Sequence, residues 1–128
     1  MTIPVRFFEH DDEDPLTDIQ ALPSKQLQAI AFWWLKRVGR NPGLGATLSY
    51  QRSTGDLSDC RKIYFDEDDE PWNPLWVPRT RVADDPRPRY RVVYRLVPSD
   101  EKPDFAQVIA VGAKPDVYWK ASSRLERG

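Results

Sequence analysis

Residues 89–98 read "RYRVVYRLVP", a run that alternates arginine with large apolar side chains and holds no glycine. Alternation with period two belongs to a strand with two different faces. Tyr90, Val92, Tyr94 and Leu96 fall on one face, and Arg91, Val93, Arg95 and Val97 on the other. Two further stretches fit beside it. "CRKIYFD" (60–66) sets Ile63 and Phe65 on one face and Lys62 and Tyr64 on the other. "FAQVIAVG" (105–112) is an apolar strand that follows the turn "PSDEKPD", the arrangement of an antiparallel neighbour. "IPVRFF" (3–8) supplies a short first strand.

The helix signal is confined to residues 24–38. Ser24 follows Pro23 and suits an N-cap. Leu27, Ile30, Ala31, Trp34, Leu35 and Val38 recur at three- and four-residue spacing and make one apolar stripe. Lys36, Arg37 and Arg40 favour the helix C-terminus, and Gly39 and Pro42 end it. "DVYWKASSRL" (116–125) predicts a short terminal helix, or a strand end running into one. The fold class expected is α+β: a twisted antiparallel sheet of about four strands with the 24–38 helix on one face. The uncovered face would then carry Lys62, Tyr64, Arg91 and Arg95.

The chain has 128 residues, 40% hydrophobic and 30% charged, enough for one domain with its own core. Its one cysteine, Cys60, excludes an intrachain disulfide and reads as a small buried apolar residue in a reducing, cytoplasmic setting. No apolar run approaches the ~20 residues of a membrane span. His10 is the only histidine and lies among acids, which reads as a solvated turn. No metal and no cofactor is expected.

Net charge is −1 and the pI about 5.8, which argues against a generic nucleic-acid binder. The charge is segregated, however, and the local field decides what a ligand meets. Residues 67–88 form an acidic insertion rich in proline and tryptophan between two strands. Acids at 66–70 stand close in sequence to the strands carrying Lys62 and Arg91, where they would compete with a phosphate for those cations. Phe32 and Trp33 lie off the helix stripe, which leaves two uses open for them, peripheral packing or a docking surface for a partner.

A face bearing Lys62 and Arg91, with Lys114 and Tyr118 beyond the next strand, suits a phosphodiester: arginine grips two oxygens, lysine adds a point charge, and tyrosine rings stack on bases. The combination "DLSDCRKIYFD", "YRVVYRL", "VIAVG" and "VYWKASSRL", preceded by "ALPSKQLQAIAFWWLKRVGRNPGLGATL", resembles the RelE side of the RelE/ParE toxin superfamily. The resemblance covers residues 1–66 and 89–125, so the whole of 1–128 reads as a single RelE-like toxin domain carrying the 67–88 insertion. It implies a microbial-RNase-like fold that enters the ribosome and cuts mRNA without a metal, under control of a cognate antitoxin. It implies catalytic roles for Lys62, Arg91 (the phosphate clamp), Lys114 and Tyr118 (the base-stacking ring). Tyr64 stands where the family keeps a second basic residue, and with Arg95 would contact RNA. Phe32 or Trp33 would meet the antitoxin. Two other functions stay open: a ParE-like block of DNA gyrase, and a non-catalytic binding protein on the same fold.

Overall fold

The computed structural model describes residues 2–9, 14–48, 56–80 and 82–127. His10 lies outside them. The elements run β1 (Val5–Phe7), α1 (Pro15–Gln20), α2 (Lys25–Arg40), β2 (Ala46–Thr47), β3 (Cys60–Phe65), β4 (Tyr90–Val97), β5 (Phe105–Ala113) and α3 (Asp116–Arg124). The sheet has five strands in the order β1-β5-β4-β3-β2. It is mixed rather than wholly antiparallel, because β1 runs parallel to β5. The α+β class stands. The strand count rises from four to five through β2, a two-residue strand antiparallel to β3.

Local chemistry sets the helix starts. Ser24 Oγ accepts the Leu27 N–H at 3.1 Å, the cap expected from the sequence. Asp14 does the same for α1, accepting the Thr17 N–H at 2.8 Å, with Pro15 at the first helical position. Six residues are too few for α1 to show a period. Gly39 does not end α2 but sits inside its last turn, since β1 approaches closely there. A Cβ on Gly39 would meet the Ile3 carbonyl at 3.2 Å and Val5 at 3.3 Å.

Both faces of the sheet are covered. Ile63, Phe65, Val92, Tyr94, Leu96 and Val108 face α1 and α2, where Leu27, Ile30, Ala31, Leu35 and Val38 complete the larger core. The opposite face was expected to be open. It carries Cys60, Val93, Ile109 and Ala110, packed under Val117 and Ala121 of α3. A bulge in β5 opposite the Val93/Tyr94 step turns both Ile109 and Ala110 toward α3. Burial pushes the Cys60 thiol up to about 12, so it is a packing residue.

Beyond Val108, where β1 ends, the outer edge of β5 is closed by side chains. Asp18 of α1 accepts the Val111 N–H at 3.1 Å, and Arg124 of α3 donates to the Ile109 carbonyl at 2.8 Å. The two side chains pair with each other at 2.6 and 2.9 Å, both buried. Lys120 adds a third contact to Asp18 at 3.1 Å.

Candidate nucleic-acid interface

The antiparallel register of β3 and β4 places Tyr64 opposite Arg91, Lys62 opposite Val93, and Cys60 opposite Arg95. All these side chains leave the sheet on the α3 side. Three of the expected residues meet directly. The Arg91 guanidinium lies 4.0 Å from the centre of the Tyr64 ring, and the Lys62 ammonium 5.1 Å from it. Tyr64 is 43% exposed, so a ring open to solvent touches both cations. Lys62 makes no ion pair among the described residues.

Arg91 departs from expectation. It is 3% exposed rather than open to solvent. Its Nη1 donates to the Pro88 carbonyl at 2.6 Å and the Tyr90 carbonyl at 3.0 Å, and its Nε is buried without a partner. The physical reason is local. The end of the insertion folds a carbonyl over the guanidinium, and the Tyr64 ring covers its flat side.

Lys114 is exposed at the β5–α3 junction, and its backbone N–H donates to the Arg89 carbonyl at 2.9 Å. It therefore stands at the same end of the sheet as Arg91. Tyr118, on α3, packs against the smaller core and is half-buried. Arg95 is not part of the group. Four residues along β4 is ~13 Å, and there Arg95 donates to Gln107 at 2.8 Å and pairs with Asp59 at 3.9 Å.

The acids of the insertion do not reach Lys62 or Arg91 in any ion pair among the described residues, contrary to the competition expected. Three of the acids there, Asp66, Asp68 and Asp85, are held by neighbouring arginines. Asp66 is 1% exposed and grips Arg89 at 2.8 and 3.1 Å. Burial alone would raise its carboxyl, but the hydrogen bonds from Arg89 outweigh that and hold it below the usual range. Asp68 pairs with Arg79 and Arg87, and Asp85 with Arg87 at 3.0 Å. Asp69 is buried and donor-poor: burial raises its carboxyl, opposed by the N–H of Asp66 and reinforced by the Asp66 charge.

The off-stripe aromatics separate. Phe32 is 40% exposed and lines a groove of about 420 Å³ between α2 and β1, with Ile3, Val5, Phe7 and Leu35. Trp33 is half-buried, edge-on to Trp34 at 5.0 Å and with the Arg37 guanidinium 5.1 Å from its ring centre. The insertion meets α2 at Trp34. Trp76 meets Trp34 at 6.3 Å. The Pro88 carbonyl is the contact at this site that sequence reasoning missed, because a backbone group carries no sequence signal.

Comparison with protein-family profiles and with curated proteins returns no match. Among solved structures, the E. coli toxin RelE, in a variant with two arginines replaced by alanine and in the free state, matches with a TM-score of 0.55 over 98% of this chain and 99% of that one. The chain has a RelE-like fold. Identity is 22%, so what the two share is the fold. Within the RelE-like fold, the Lys62–Tyr64–Arg91 group occupies the β3–β4 pair, and residues 67–88 form the connection between those two strands.

Proposed function

We propose that this chain is the toxin of a type II toxin–antitoxin pair, that it inhibits translation, and that it does so by cutting mRNA on the ribosome. The observation that carries this reading is the exposed Tyr64 ring with Lys62 and Arg91 against it. The ring offers a face on which a base stacks, and the Lys62 ammonium has no carboxylate partner among the described residues. In the reaction proposed, the ribose 2′-oxygen attacks the adjacent phosphorus and the 5′-oxygen leaves. The products are a 2′,3′-cyclic phosphate and a 5′-hydroxyl, with the 2′ proton passing to a base and a proton supplied to the leaving oxygen. Lys62 and the exposed Lys114 would neutralise the phosphate as charge builds on it, and Arg91 would hold Tyr64 in place from below. Tyr118 would act at the rim. A cognate antitoxin and the ribosome with its mRNA are the partners this reading requires. Phe32, being the exposed one of its pair, is the residue available to an antitoxin.

The burial of Arg91 favours a second reading, a binding protein that keeps the fold without cleavage, since its Nη1 is already occupied by carbonyls. Induced expression with mapping of mRNA 5′ ends separates the two. Cleavage predicts new 5′-hydroxyl ends in translated messages, reduced by ~100-fold or more in Lys62→Gln, the scale of losing one transition-state donor. Growth inhibition with intact messages would remove the nuclease reading, and gyrase-linked DNA damage would place the chain with ParE-like poisons.

A further inference from the structure

The three most exposed large apolar side chains among the described residues lie on the 67–88 insertion, and Trp72 lies there too. Leu75 is 87% exposed, Val77 74%, Val82 62% and Trp72 46%. The segment presenting them is braced. Trp76 packs on Trp34, the Asn73 and Trp76 amides close successive turns at 2.8 and 3.0 Å, and Asp68 binds Arg79 and Arg87. A braced apolar tip loses little freedom on docking, and a patch of this kind on a stable scaffold marks an interaction surface.

The counterpart is on the same molecule. The groove between α2 and β1 is lined by Ile3, Val5, Phe7, Phe32 and Leu35, with Lys36 and Arg40 also on its walls. Charge is complementary. The insertion has six acids against three arginines, a net −3, and α2 has four cations and no acid, a net +4. Glu67, Glu70 and Asp84 on the insertion form no ion pair among the described residues, and neither do Lys36 and Arg40 in the groove. Phe32 and Trp34 differ by ~200° around the helix, so the groove and the insertion's Trp34 contact lie on opposite flanks of α2.

We propose that the chain forms a two-fold dimer in which the insertion of each copy seats its Leu75–Val77 tip in the α2–β1 groove of the other. A single loop in a single groove falls short of the ~1,000 Å² that a specific interface buries. Two-fold exchange uses every patch and every groove, and closes the assembly so that no filament grows. The inference does not depend on the toxin reading. An antitoxin segment of acidic and apolar character would compete for the same groove.

The test is sedimentation equilibrium of the isolated chain. The mass should rise with concentration from 14.9 kDa toward twice that value, and added salt should weaken the association. Leu75→Asp and Val77→Asp should be monomeric with unchanged melting, because both positions are exposed. The groove variant Lys36→Glu/Arg40→Glu and the insertion variant Glu67→Lys/Glu70→Lys should each associate at least about tenfold more weakly than the parent. An equimolar mixture of the two should recover the parent's affinity, since every contact in the mixed dimer is again between opposite charges. A parent that stays at the monomer mass across all concentrations overturns the proposal and leaves the groove to an antitoxin. A dimer that survives Leu75→Asp, or a mixture no tighter than its components, overturns it as well.

Discussion

At the scale of single residues, environment rather than residue type decides what a charge can do. Arg91 sits in an alternating strand and reads from sequence as a surface cation, yet its guanidinium is spent on two carbonyls and a ring. Arg91→Ala should therefore cost ~1.5–3 kcal/mol of stability by urea unfolding, the range for hydrogen bonds to a charged group. Lys62→Gln should leave the urea midpoint unchanged, because the contact Lys62 makes is with the exposed Tyr64 ring. Asp69 gives a prediction with a pH signature. Its carboxyl is raised in the folded chain, chiefly by burial, so its ionisation works against folding. The penalty is fully in place at neutral pH and disappears below the ordinary aspartate value of ~3.9. Asp69→Asn keeps an oxygen to accept the Asp66 N–H. It should raise the melting temperature at pH 7, and the gain should fade as the pH drops below about 4. The alternation that placed Tyr90, Val92, Tyr94 and Leu96 against the core was readable in the sequence, as were the Ser24 cap and the buried Cys60. The cover over Arg91 was not, since it comes from a neighbouring backbone carbonyl and from the facing strand.

At the scale of elements, β5 explains the parts of the architecture that sequence did not disclose. Its partner β1 is about a hundred residues away, and no local pattern announces a parallel pairing across that distance. The alternation in β4 identifies two faces, but it does not say that α3 covers the second. The remaining edge of β5 is closed by Asp18 and Arg124, 106 positions apart. Asp18→Ala should cost ~3–5 kcal/mol, because it leaves the Arg124 charge buried and unpaired. Hydrogen exchange at the Val111 amide should accelerate in the same variant, as that N–H loses its acceptor. Lys120→Ala should cost under ~1 kcal/mol, since Lys120 is 42% exposed. The Tyr94 hydroxyl performs a similar tie on the other side of the sheet. It donates to the Pro42 carbonyl and accepts the Gly45 N–H, both at 2.8 Å, and a Cβ on Gly45 would lie 2.8 Å from the ring. Gly45 is thus required by a tyrosine 49 positions away, a need that no local pattern shows.

At the scale of the molecule, Asp66, Asp68 and Asp85 pair with Arg89, Arg79 and Arg87 in and beside the insertion, and the acid limb of unfolding should report those pairs. Asp66 is held below the ordinary aspartate range, and Asp85, hydrogen-bonded by Arg87, is lowered to about 2. Groups lowered by folding stabilise fully above ~3.9 and lose that contribution as the pH falls through their folded values. Asp66→Asn should therefore lower the melting temperature at pH 7, and parent and variant should converge as the pH falls below the ordinary aspartate value of ~3.9 and on through the lower folded one. Converging curves already at pH 6 would mean that the Asp66–Arg89 pair contributes nothing. The Asp18–Arg124 bond also has a bearing on the order in which the protein is made. Synthesis delivers α1 first and Arg124 only after all five strands, so the open edge of β5 stays uncapped until the C-terminal helix arrives. A message cut or stopped before codon 124 would yield a chain with every strand but a bare edge, and such edges recruit other chains. Premature termination should thus produce aggregate rather than a weakened version of the folded protein.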